Sequence, residues 1–233
     1  MNKEQLLAKL QENEISCDDK QLNLLMSLMD STLMTNEKFN LTAIKEPSAF
    51  IEKMIFDSAL ALYDLDLNNK SIIDVGTGAG FPGMVIKILS PNCQMTLLDS
   101  TKKKIDYLNE FALANNIDIS GVSERAEDHA KMHREHYDYA TARAVAHLSI
   151  LLEFIVPMLK VNGYFLALKG AGYEDEINES SNALKKLNCH IEKVYEFELP
   201  ESLEKRAVIY IKKDKATSKK YPRSYADMKR LPL

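Results

Sequence analysis

Residues 72–83 read IIDVGTGAGFPG, and they hold Gly76, Gly78, Gly80 and Gly83, half of the chain's eight glycines. The apolar run that enters this stretch reads as a strand over residues 71–75, and a helix begins near Pro82. A glycine loop between a strand and a helix opens a βαβ unit, because glycine lets the backbone turn tightly and approach a ligand. Gly78-Ala-Gly80-Phe-Pro-Gly83 fits G-x-G-x-x-G, a weak match by itself that its strand–helix setting strengthens. No G-x-x-x-x-G-K-[ST] follows, which excludes a nucleoside-triphosphate P-loop.

The neighbouring acids narrow the ligand. Asp74 stands two residues before the first glycine. A carboxylate there is expected to repel the pyrophosphate that a dinucleotide places at a helix N-terminus, and to attract a cation. The next apolar run, TLLDS, carries Asp99, 23 residues after Gly76. An acid at that position accepts the hydroxyls of an adenosine ribose. Two acids flanking a glycine loop fit S-adenosylmethionine, which has a positive sulfonium and a ribose but no phosphate. NAD stays open as the alternative, since Asp99 alone serves it equally well.

Outward from the loop, short apolar runs alternate with helical periods. Strands are expected at 95–98, 119–123, 137–141 and 164–168, and helices from Ser100 or Thr101, across 147–160 and over 174–187. This rhythm argues for an α/β fold with a mostly parallel sheet covered on both faces. Two last extended segments, 190–197 and 206–212, suggest a C-terminal antiparallel hairpin at the sheet edge. Ahead of the sheet, residues 3–12 and 19–35 read as amphipathic helices packed on it, with Met26, Met29 and Met34 as core filler. The expected division is an N-terminal helical extension (1–45), a core (46–213) and a basic C-terminal tail (214–233).

The whole chain has 233 residues and a net charge of −4, yet residues 212–230 alone carry eight Lys or Arg against two Asp. A basic tail on an acidic body suits a polyanionic partner or simply a solvated terminus. The N-terminus lacks a signal-peptide pattern, and no apolar run approaches the ~20 residues of a membrane span. Three scattered cysteines form no metal spacing, and a reducing, cytoplasmic setting is expected. His129, His133 and His136 lack the partners of a metal set. His147 fits a helix start.

The motifs NLTAI (40–44), DS (57–58), DVGTGAGFPG (74–83), TLLDS (96–100), RAE (125–127), TARAVA (141–146), ALKG (167–170) and KKYPR (219–223) run in one order along the chain. In this set the sequence resembles the bacterial 16S ribosomal RNA guanine-N7 methyltransferases, also called glucose-inhibited division protein B. The resemblance implies a Rossmann-like S-adenosylmethionine-dependent methyltransferase fold and methyl transfer to N7 of a guanine, guanine 527 of 16S rRNA. It implies 16S rRNA or the small ribosomal subunit as partner, no membrane, and a monomer. By motif, Gly76 and Phe81 would line the cofactor loop, where the glycine spacing and the strand-end acid already place Gly78 and Asp74 as cofactor-binding residues. Asp99, Ser100 and Thr101 would hold the ribose, and Ala126 and Glu127 would flank the adenine. Arg143 would reach the cofactor or the target phosphate; Lys169, by its place at the end of the fifth strand and not by motif, is a second candidate to neutralise a phosphate and position the nucleotide. Two positions depart from the family pattern: Met54 stands where a His is usual, and the tail after KYPR reads SYADMKRLPL.

The residues themselves argue against other methyl-transfer chemistries. Cys93 and Cys189 are poorly placed to serve as a C5-pyrimidine methyltransferase nucleophile. The loop after the fourth strand, ARAVA, is not the [DN]-P-P-[FYW] of amino methyltransferases. Guanine N7 has a free lone pair, so positioning suffices and no general base is required. The alternatives are a small-molecule methyltransferase and, behind it, an NAD-dependent oxidoreductase.

Overall fold

The computed structural model describes all residues, 1–233. Seven strands form one sheet in the order β3-β2-β1-β4-β5-β7-β6. They are β1 (Ser71–Val75), β2 (Gln94–Leu98), β3 (Ile119–Val122), β4 (Tyr137–Arg143), β5 (Leu159–Gly170), β6 (Cys189–Glu198) and β7 (Lys205–Lys213). The first five pair in parallel, and β7 runs antiparallel between β5 and β6. Chain order reverses between β1 and β4, and the crevice at the strands' carboxyl ends there is where open α/β sheets bind ligands.

Strand side chains alternate between two faces, and each face has its own apolar cluster. Ile72, Leu97, Leu166, Leu168, Val208 and Tyr210 point into one. Ile73, Leu98, Phe165, Ala167, Ile209 and Ile211 point into the other. Helices α1 (Lys3–Glu12) and α2 (Asp19–Asn36) deliver Leu6, Leu10, Leu22, Leu25 and Leu28 to the first cluster. Both begin in a capping box, Asn2 with Gln5 and Asp18 with Gln21. Each box satisfies orphan amides of the first turn and fixes where the helix starts. Met29 is buried as expected of core filler, but Met34 is 62% exposed: it falls on the outer face of α2.

Residues 47–62 make one helical rod of changing pitch. The α turns α3 (Pro47–Phe50) and α4 (Asp57–Ala59) flank a π segment, Ile51–Phe56, and a 3₁₀ turn ends the rod at Leu62. The remaining helices are α5 (Gly83–Leu89), α6 (Lys102–Ala114), α7 (Ala126–Met132), α8 (Leu148–Ile155), α9 (Tyr173–Glu179), α10 (Ser181–Leu187) and α11 (Tyr225–Arg230).

Three expectations shift. The helix expected to reach residue 160 closes as a 3₁₀ turn at Val156–Met158, where Pro157 removes an amide, and Leu159 already pairs with Tyr137. Gly163 therefore lies within β5 at an irregularity of the β4–β5 register, not at a turn before the strand. A Cβ there would stand 2.8 Å from the Asp138 carbonyl oxygen, so the close passage requires glycine. The helix expected over 174–187 is two helices, broken at buried Ser180.

The C-terminal residues are folded onto the body. Tyr221 and Met228 are buried in the second cluster with Leu148, Leu151 and Leu152. Arg223 grips the buried Glu153 through its Nε at 2.7 Å and its Nη2 at 2.6 Å. Arg134 donates to the carbonyls of Tyr221 and Thr217, each at 2.6 Å.

Candidate active site

The glycine loop after β1 is closed by its own hydrogen bonds. Gly76 and Thr77 donate to the Leu98 carbonyl at 2.8 and 3.0 Å, and Gly80 and Phe81 donate to the Thr77 carbonyl at 2.9 and 3.1 Å. Gly78 N–H donates to Asp99 Oδ2 at 3.1 Å, Gly83 N–H to Asp74 Oδ2 at 2.9 Å, and Met84 to the Gly80 carbonyl at 2.7 Å. Between Gly76 and Met84, only the Ala79 amide is uncommitted. A pyrophosphate needs several free amides at this helix start. Here the Asp74 carboxylate already sits on the first amide of α5.

Asp74 thus differs from its expected place. It is fully buried behind the loop, taking the Thr77 hydroxyl at 2.6 Å as well as the Gly83 amide. Its Oδ1 has no partner, and burial raises its pKa to about 6. It braces the loop and does not form part of either cavity wall. Thr77, the residue that completes the brace, carried no signal in the motif.

Two cavities meet at the carboxyl ends of β1, β2 and β4. The larger, of about 1040 Å³, runs from Gly76 and Phe81 to Met54, Arg143, Lys169 and Arg206. The smaller, of about 340 Å³, holds Asp99, Ser100, Thr101, Ala126 and Glu127. Gly76, Lys104 and Ala144–Ala146 belong to both walls, so a single ligand can span them. Gly76 has φ +71°, and a Cβ on it would lie 2.5 Å from Val145 Cγ2. The loop after β4 is thereby able to rest directly on the glycine turn.

Asp99 is 8% exposed at the floor of the smaller cavity. Its Oδ1 accepts the Thr101 amide at 2.8 Å and its Oδ2 the Gly78 amide, with Lys104 Nζ at 3.6 Å. A carboxylate has about four acceptor sites. The backbone uses two, which fixes the orientation and leaves capacity for a ribose diol. Phe81 is buried beside the larger cavity, its ring edge-on to Phe50 at 5.4 Å.

Arg143 and Lys169 both line the larger cavity, but neither is a free cation. Arg143 Nη1 donates to the Lys53 carbonyl at 2.9 Å and lies 3.5 Å from Asp57 Oδ2, and Nη2 lies 3.1 Å from Met54 Sδ. The π segment fits this contact: the Asp57 amide bonds Glu52, one residue further back than in an α-helix. Burial pushes the Asp57 pKa up, against the pull of Arg143 and Arg206. Lys169 Nζ is 2.6 Å from Glu176 and 3.0 Å from the Ala146 carbonyl, so it holds the shared loop in place. No motif singled out Lys53, Arg206 and Glu204, which form an ion cluster on the same wall. They come from the rod and the β6–β7 hairpin, about 150 residues apart in the chain, so no local pattern joins them.

The histidines stand apart from this wall, except His147. His129 is buried between Glu124 at 3.0 Å and the Tyr137 hydroxyl at 2.9 Å, and burial lowers its pKa. His147 caps α8, its Nδ1 3.0 Å from Ser149 Oγ, and its Nε2 pairs with Glu179 at 3.0 Å.

Comparison with known proteins bears on the family and the fold. Residues 21–208 match the family model GidB, described as rRNA small subunit methyltransferase G. The Ribosomal RNA small subunit methyltransferase G of Fusobacterium nucleatum is 46% identical over 228 residues, which are 96% of this chain and 97% of that protein. The same-named protein of Staphylococcus carnosus is 40% identical, covering 100% of this chain and 99% of its own. Among solved structures, M. jannaschii TYW2 in complex with AdoMet superposes with a TM-score of 0.56 at 13% identity, over 73% of this chain and 79% of that one. A SAM-dependent methyltransferase from Aquifex aeolicus gives 0.54 at 15%, over 77% and 97%. These distant structures share the fold, and the near-full-length relatives carry the assignment: the chain belongs to the rRNA small subunit methyltransferase G family of S-adenosylmethionine-dependent enzymes.

Proposed function

We propose that the protein transfers a methyl group from S-adenosylmethionine to N7 of a guanine in 16S rRNA, guanine 527 by the family resemblance. The observation that carries the cofactor reading is the closed glycine loop beside an oriented Asp99: it offers ribose acceptors but almost no amides for phosphate. Bound in the joined cavities, the cofactor supplies an electrophilic methyl group on a sulfonium. Asp99 holds the ribose, with Ser100 and Thr101 beside it, and Ala126 and Glu127 flank the base. Gly76, Gly78 and Phe81 border the methionine end. The nucleotide enters the larger cavity, which has five cations, Lys53, Lys104, Arg143, Lys169 and Arg206, against Asp57, Glu176 and Glu204. Arg143 and Lys169 act as positioning residues, holding the wall through Asp57 and Glu176.

Guanine N7 attacks with a lone pair already free, so this chain has to orient and desolvate, not remove a proton. Calorimetric titration should show binding of S-adenosylmethionine and none of NAD. Asp99→Ala should weaken the former by about 10- to 150-fold, the usual strength of charge-assisted hydrogen bonds. Single-turnover methylation should show no ionisation between pH ~6 and ~8 that one His→Ala change removes. Each such change at His129, His133, His136 or His147 should cost less than about tenfold, below the ~10²–10⁴ of a general base. A basic limb abolished by one of them would overturn the N7 assignment.

For domain organisation we propose the limits 1–45, 46–213 and 214–233. The chain is proposed to act as a monomer in the cytoplasm; no helix is long and apolar enough to cross a membrane.

A further inference from the structure

The small cavity has one wall from an unexpected part of the chain. Tyr225, the first residue of α11, lines it together with Asp99, Ala126 and Phe154. More than 80 residues separate Tyr225 from β4, the last strand of this crevice. The approach is rigid. Arg223, two residues earlier, is clamped on Glu153 by its side chain and by its amide at 3.0 Å. Met228, one turn later, is fully buried against the second cluster. Ser224 caps the helix by accepting the Asp227 amide. The ring itself is pinned by the Arg125 guanidinium, 5.1 Å from its centroid.

We infer that Tyr225 is a cofactor-binding residue: its ring forms an aromatic wall for the purine of S-adenosylmethionine, so residues 221–228 complete the cofactor site. The inference rests on the proposed reading of the joined cavities as the S-adenosylmethionine site. A base attached to a ribose held by Asp99 must lie in the same chamber as Tyr225. A purine offers a π face, and stacking on an aromatic ring tolerates any base orientation that keeps the planes together. Held at both ends, the ring loses little freedom when a ligand arrives. The basic C-terminal segment is then part of the catalytic body as well as a basic surface.

The test compares Tyr225→Phe, Tyr225→Leu and Tyr225→Ala in the full-length chain, by calorimetric titration with S-adenosylmethionine and with adenosine alone. Thermal unfolding checks that each variant is folded. We expect Phe to bind both ligands within about twofold of the parent. Leu and Ala should bind both about tenfold or more weakly, since base–aromatic contacts carry energies of that order. Recovery of affinity by Leu would show that Tyr225 only fills space and would overturn the inference. So would parent-like affinity in a folded Ala variant. If the parent binds neither ligand, both this inference and the proposed function fall. If the parent binds and the variants match it, only this one does.

Discussion

Asp74 shows how much one side chain governs in this loop. It is buried, shares its Oδ2 between Thr77 and Gly83, and has an unpartnered Oδ1. Burial raises its pKa to about 6 from the 3.8 of an unburied aspartate. Between these values the folded chain holds more protons than the unfolded one. This contribution to stability is therefore complete below pH ~4 and is lost as pH rises through ~6, a change of about 3 kcal/mol. Asp74→Asn removes the titration. Denaturant unfolding at pH 4 and pH 7 should show the stability of the parent relative to Asp74→Asn falling by about that amount. A difference that is flat with pH would mean that Asp74 is ionised throughout. Arg143 makes a related point: sequence marks it as a ligand-facing cation, whereas its guanidinium is committed to Lys53 and Asp57.

At the level of elements, the β1–α5 turn depends on two glycines for different reasons. Gly78 has φ +59° but open space around it, so alanine there costs backbone strain of about 1 kcal/mol. Gly83 has no such φ, but a Cβ would lie 2.7 Å from Asp74 Cβ and 2.4 Å from Leu97 Cδ2. Leu97 can yield, being the tip of a flexible side chain. Asp74 cannot, because its carboxylate is tied to the Gly83 amide itself. Gly83→Ala should destabilise by about 1–3 kcal/mol, more than Gly78→Ala, as overpacking typically does. Equilibrium unfolding of the pair gives the order, and equal costs would mean that α5 shifts freely on β1.

Across the molecule as a whole, the C-terminal segment anchors through one buried carboxylate. Glu153 is 1% exposed and Arg223 is its partner. Arg223→Ala leaves that charge unpaired and should cost about 3 kcal/mol, the lower end for a broken buried pair, since Arg223 is partly solvated. In a Glu153→Leu background the same change should cost under about 1 kcal/mol, and a double-mutant cycle on unfolding free energies checks it. The segment's other face is basic: Lys219, Lys220, Lys229 and Arg230 are exposed. Changing Lys219, Lys220 and Arg230, the three that do not touch the Tyr225 ring, to Gln should leave S-adenosylmethionine affinity intact and flatten the salt dependence of RNA binding. The log–log slope should fall by about 0.7–0.9 for each phosphate that is no longer neutralised. An unchanged slope would leave the segment only its structural part.

Sequence alone was a sufficient guide wherever the physics is local. Glycine spacing and apolar alternation in 71–83 set the strand, the turn and the helix, and strand-end acids marked Asp99, because backbone sterics and side-chain period act over a few residues. Capping residues likewise started α1 and α2 where they stand. Which charges stay free was settled by packing. Asp74 turned inward because Gly83 lets α5 press on β1. Arg143 and Lys169 were neutralised by Asp57 and Glu176, which come from the rod and from α9. Lys53, Arg206 and Glu204 became one cluster, and Tyr225 reached the small cavity, only once distant elements had packed. Pairing of buried charge depends on distances between elements, and those are set by the filling of the two cores, not by spacing along the chain.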